Sequence, residues 1–151
     1  GLGITFNSTT HNASTTLDWY EEGTWTPVLS DATTGGNAAT GGIQRGSFVR
    51  IGNIVHCSFE FSSVATSGMI SGNFVYIQGL PFDASGLRYQ YTAVAYYIGV
   101  TPPAGEPSLL IAPRFADNYL ELRGAQGTQL KVSDLASSVT LGSTFSYIVS
   151  G

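Results

Sequence analysis

A single cysteine, Cys57, stands among 151 residues, so no internal disulfide can form and the fold must be held by packing or by association with other chains. Charge is scarce too. Asp, Glu, Lys and Arg make up 11% of the chain, against roughly 25% in ordinary globular domains, and Gly, Ser, Thr, Asn and Tyr take their place. Neutral hydroxyl and amide cover of this kind is common on extracellular and virion β proteins, and it argues against a cytosolic enzyme. The six basic residues (Arg45, Arg50, Arg88, Arg114, Arg123 and Lys131) are scattered singly, and the net charge is −4. Without a basic stripe the chain cannot displace counterions from a phosphate backbone, so nucleic acid is not an expected partner. No apolar run approaches the roughly 20 residues of a membrane-spanning helix. GLGITFNSTT has neither the basic start nor the apolar centre of a signal peptide, so a soluble chain with no membrane insertion is expected.

Residues suited to catalysis are also few. The only histidines, His11 and His56, have no carboxylate or Cys at metal-ligand spacing, so neither a metal nor a cofactor is expected. His56 and Cys57 are adjacent, which puts them on opposite faces of a strand and prevents an imidazole from activating the thiol; Cys57 reads as a small core residue. No Ser occupies a G-x-S-x-G elbow, and no Gly-rich loop has a phosphate-binding layout. Glycosidase carboxylates must face each other across about 5 to 9 Å, whereas Glu21 and Glu22 are neighbours that point apart in an extended chain. Asp83, Asp117, Glu121 and Asp134 are too scattered to nominate a pair. A non-enzymatic protein is expected.

What the chain does have is β pattern. Runs rich in Val, Ile, Phe, Tyr and Thr recur every ten to fifteen residues between clusters of Gly, Pro, Ser and Asn, with no helix-period stretch. In IVHCSFEF, Val55, Cys57, Phe59 and Phe61 share one face and His56, Ser58 and Glu60 the other. Gly52 and Asn53 supply a two-residue hairpin turn, pairing strands near 46–51 and 54–62. Further strands are expected near 24–30, 73–78, 89–99, 108–115, 118–123, 128–132 and 143–149. About nine strands make an antiparallel all-β sandwich, jelly-roll-like, in a single domain. In NYLELRG, Leu120 and Leu122 face inward and Tyr119, Glu121 and Arg123 outward; in FSYIVS, Phe145, Tyr147 and Val149 share a face. The Gly, Ala and Thr of the loop at 31–42 suggest mobility, and the prolines of 101–108 a stiffer connection.

LDWYEEGTWTP, residues 17–27, crowds two Trp, one Tyr and three carboxylates beside a Gly and a Pro. Asp18 with Glu21 forms an Asp-x-x-Glu capping box, and Gly23 can end such a turn in the left-handed conformation, so a short capped turn is expected there. In LRYQYTAVAYY, Tyr89 and Tyr91 share a strand face with Arg88 and Gln90 opposite. Tyr rings stack on the apolar faces of sugars, although β propensity alone also places Tyr in strands.

LDWYEEGTWTPVL closely resembles the LDDYEEGTWTP signature of the distal domains of bacteriophage tail fibres and tailspikes, with Trp19 where the family has an acidic residue. GSFVRIGNIVHCSFEF is similar to the family's G-x-Y-x-[KR]-I-G-N-x-V strand pair, with Phe48 for Tyr, and IQGLPFDAS to its I-x-G-L-P-F segment; GITF resembles its lead-in. The likeness covers residues 3 to about 85. It implies a lead-in over 1–17 followed by one β-sandwich tip domain over 18–151, assembled as a parallel homotrimer at the end of a virion fibre, with a few residues beyond Gly151. Asp18, Trp19, Tyr20, Gly23 and Trp25 would then shape the corner out of the shaft and anchor the chains together. In a receptor-binding tip, the candidate contacts for a bacterial surface polysaccharide are Arg88, Tyr89 and Tyr91, or the loop at 31–42. The alternative is a purely structural trimerisation cap whose recognition or depolymerase site lies upstream.

Overall fold

A computed structural model of the chain describes residues 4–5, 16–17, 19–86, 92–103, 105–114 and 116–150. These are almost wholly β. A short antiparallel pair joins β1 (Ile4–Thr5) to β2 (Thr16–Leu17). Ten further strands form two five-stranded antiparallel sheets.

The long-strand sheet contains β3 (Tyr20–Trp25), β5 (Ile43–Ile51), β6 (Ile54–Ala65), β9 (Tyr96–Val100) and β12 (Leu135–Ile148), in the order β3-β5-β6-β12-β9. The short-strand sheet contains β4 (Val28–Ser30), β7 (Tyr76–Gln78), β8 (Ala93–Val94), β10 (Leu109–Pro113) and β11 (Tyr119–Gly124), in the order β4-β7-β11-β10-β8. A 3₁₀ turn at Val132–Asp134 leads into β12.

Alternation along the strands builds the core. Val55, Cys57, Phe59 and Phe61 are all buried, as are Phe145, Tyr147 and Val149. They meet Leu29, Ile77, Leu109, Ile111, Leu120 and Leu122 of the short-strand sheet in one cluster. Each such side chain, taken from water to full burial, contributes about 1.5 to 3 kcal/mol before conformational entropy is subtracted. The β5–β6 hairpin turns at Gly52, whose φ of +61° is matched by no positive φ at Asn53. That is the type II′ pattern, whose twist suits the flanking strands.

Four local expectations give way to tertiary partners. The capped turn at Asp18–Gly23 is replaced by β3: residues 20–25 pair in register with 51–46 of β5, and Asp18 itself lies outside the described residues. Gly23 has no positive φ. It lies beneath the Phe48 ring, where a Cβ would stand 3.0 Å from two ring carbons. The run 128–132 forms isolated bridges, Arg123 to Gln129 and Phe74 to Lys131, before the 3₁₀ turn, so it is not a strand.

Tyr119 and Glu121, expected to face water, are 9% and 5% exposed. Tyr119 is covered by an edge-on Tyr76 ring at 5.4 Å, and Glu121 by Arg114 and Arg123, each 2.7 Å from one of its oxygens. The loop at 31–42 is pinned by bonds to its neighbours. The Asp31 carboxylate accepts from the Asn37 and Ile70 backbone N–H groups at 2.7 and 2.8 Å, and Gln78 Nε2 donates to the Ala32 and Gly35 carbonyls.

Candidate functional site

Three of the stretches that carry the resemblance, at 17–29, 46–61 and 77–85, are far apart in sequence, and their described residues meet at one end of the sandwich. Because β3 alternates, Trp19, Glu21, Gly23 and Trp25 lean to the core side and Tyr20, Glu22 and Thr24 to the outer face. At the core side of this end the Arg50 guanidinium is held between two rings, 4.4 Å from the Trp19 centroid and 4.9 Å from that of Phe82, while its Nε donates to the Gly52 carbonyl. Phe82 stands edge-on to Phe48 at 5.4 Å, and Phe48 lies over Gly23. The Tyr147 hydroxyl donates to the Phe82 carbonyl at 3.1 Å. Burial, first among several causes, raises the pKa of Tyr147. The four ring contacts, Trp19–Arg50, Arg50–Phe82, Phe82–Phe48 and Phe48–Gly23, each join two of these stretches and so stitch this end together.

Of the residues expected to anchor chains together, Trp25 is 8% exposed and serves its own core. Its Nε1 donates to the Ser58 carbonyl at 3.1 Å across Gly46, where a Cβ would come within 2.3 Å of the indole nitrogen. Trp19 and Tyr20 remain 48% and 59% exposed. Their polar atoms donate to the carboxylates two residues on, Trp19 to Glu21 and Tyr20 to Glu22. Glu21 and Glu22 therefore diverge to opposite sides of the strand. Arg88, Tyr89 and Tyr91 lie outside the described residues.

Cys57 is buried and His56 exposed, with His56 Nδ1 2.8 Å from Ser146 Oγ across the strand pair. Burial pushes the Cys57 thiol up to about 12, so thiolate chemistry is disfavoured. Among the described residues, no group of three or more His, Cys, Asp or Glu is gathered to hold a metal ion, and no helix is long and apolar enough to cross a membrane.

The outer face of the long-strand sheet changes character row by row. At the hairpin end, Tyr20, Ile51, Ile54 and Ile148 stand opposite one another across four adjacent strands. Ile51 and Ile54 are 48% and 52% exposed. The following rows are polar except for Val49: Glu22, Val49, His56 and Ser146, then Thr24, Ser47, Ser58 and Thr144. The next holds Arg45, Glu60, Gly142 and Tyr96. A groove of about 430 Å³ opens among Thr24, Gln44, Arg45, Ser47, Ser58 and Glu60, with Trp25 also in its lining. Neither the apolar row nor this groove stood out in the sequence. The turn at Gly52–Asn53 was the available signal, since its register places Arg45 opposite Glu60 and Ile51 opposite Ile54.

The chain matches no family model and no curated protein.

Proposed function

We propose that this chain is the distal domain of a bacteriophage tail fibre or tailspike, a non-enzymatic receptor-binding module presented as a parallel homotrimer at the tip of the virion fibre. The observation that carries the reading is the apolar row Tyr20, Ile51, Ile54 and Ile148, which lies where the chain enters the sandwich. Contiguous exposed apolar surface marks an interaction site. A rotation that brings three copies of this row together buries it and closes the assembly. The meeting of the resemblance stretches at the same end supports it further, because a domain joined to a shaft needs that end rigid.

Receptor docking then falls to the surface beyond this row, through hydroxyl hydrogen bonds and aromatic contact with bacterial surface glycan. Threefold repetition raises weak single-site affinity through effective concentration. The same apolar row also favours the purely structural alternative, in which the domain only trimerises and caps, and glycan binding separates the two.

Light scattering across a dilution series tests the assembly. The expected mass is three times 15.9 kDa, and Ile54→Lys is expected to give a folded monomer, since Ile54 is 52% exposed within its own chain. A wild-type monomer at every concentration overturns the trimeric tip.

A further inference from the structure

We propose that the groove beside Trp25 is a saccharide subsite that takes a neutral sugar by a vicinal diol, with Arg45 and Glu60 as the clasp and Tyr96 as the stacking surface for the next sugar unit. This deepens the receptor-binding reading and rests on it.

The hydrogen-bond inventory of the clasp carries the argument. Arg45 directs both Nε and Nη2 at one oxygen, Oε2 of Glu60, at 2.8 and 2.7 Å. Among the described residues, Nη1 of Arg45 and Oε1 of Glu60 have no partner, and the two side chains are 70% and 43% exposed. A fixed donor beside a fixed acceptor matches two adjacent sugar hydroxyls. One hydroxyl accepts from the guanidinium and the other donates to the carboxylate.

The pair has no net charge, so it favours a neutral ligand over an anion or a cation. In the same lining, Ser47 and Ser58 are joined Oγ to Oγ at 2.8 Å, which leaves acceptor lone pairs, and the Thr24 hydroxyl adds a donor and an acceptor. A volume of about 430 Å³ falls within the range of small-ligand sites.

The row continues past Glu60. Gly142 stands opposite Glu60 and Tyr96 opposite Gly142, so the sheet is bare between the carboxylate and the ring. Two strand spacings put Tyr96 about 10 Å from Glu60, within reach of an adjoining sugar unit. Tyr96 is 65% exposed, more than its own fold requires, and an aromatic face on a hydroxyl-lined sheet suits the apolar side of a pyranose.

The Arg114–Glu121–Arg123 cluster on the other sheet is a weaker candidate. Its charges are turned on each other: Glu121 takes one arginine at each oxygen, and Arg123 Nη1 donates to the Gly127 carbonyl.

The test is a glycan array carrying neutral and acidic bacterial-type oligosaccharides. It is followed by ¹⁵N NMR titration of the full chain with the best neutral trisaccharide and with its component monosaccharide. The expected result is binding of a neutral glycan, with shifts centred on the Arg45 side-chain N–H and the Ser47 and Ser58 amides. Arg45→Ala and Glu60→Ala are each expected to weaken binding about tenfold with little change in melting temperature, because an exposed ion pair contributes little to stability. Tyr96→Ala should weaken the trisaccharide and leave the monosaccharide unaffected.

Neutral glycan binding that ignores these variants, or binding of acidic glycans only, overturns the subsite and leaves the receptor-binding reading intact. A trimer that binds no glycan on the array overturns both and leaves the structural cap.

Discussion

Trp19 shows how one side chain can hold a chain entry in place. Its ring covers Arg50, whose other face rests on Phe82, so an arginine that is only 8% exposed has its guanidinium between two π faces and bonded to one carbonyl. Trp19→Ala is expected to cost about 1 to 2 kcal/mol in urea denaturation, the range for a desolvated cation–π contact. Trp19→Asp should recover much of that loss by pairing with Arg50.

Asp31 makes a second prediction at this scale. Burial alone would raise its pKa, but the hydrogen bonds from Asn37 and from the Ile70 N–H outweigh that effect and hold it below the ordinary carboxylate value. Its contribution is therefore fully present above the unfolded value of about 3.9 and is lost as pH falls through the lower folded value. Asp31→Asn should lose roughly 1 to 3 kcal/mol at neutral pH and show a flatter fall in stability below pH 4, as measured by denaturant titration across pH.

At the scale of the element, legibility followed locality. The hairpin β5–β6 could be read because its turn residues and its alternation are adjacent in sequence, and its register is fixed by the turn. The strand β3 could not. Asp-x-x-Glu followed by Gly is a good local description of a turn, and only Phe48 and Arg50, more than twenty residues away, make those residues extended. The same holds for β11, whose outward row is buried by Tyr76, Arg114 and Arg123, so alternation identified the strand and misjudged its exposed face.

Gly46 makes the long-range character of these contacts measurable. Gly46→Ala places a methyl against the Trp25 indole, and a loss of about 1 to 3 kcal/mol is expected, with altered Trp fluorescence as the indole leaves the Ser58 carbonyl.

For the whole molecule, composition indicated a neutral surface and the recurrence of β-rich runs an all-β chain, and the two sheets agree with the second. The order of strands within them was not legible, since local pattern does not distinguish one sandwich topology from another. The partition of the outer face was also hidden. It exists only once β3, the β5–β6 hairpin and β12 lie side by side, so that residues from three distant segments form a single apolar row beside polar ones. The candidate site shares this property, since Arg45, Glu60, Gly142 and Tyr96 are neighbours only through three strand pairings.

The position of β3 bears on solubility as well. Among the described residues it is the outermost strand of its sheet, and an outermost strand presents one row of backbone N–H and C=O groups to any passing extended chain. Glu21 and Glu22, one on each side of that exposed ribbon, put negative charge where a second copy would have to dock. Two identical edges meeting there bring like charges together, which discourages open-ended stacking of the chain into amyloid-like fibrils. The carboxylates that resemble an acid–base pair thus act as gatekeepers on the margin of the sheet.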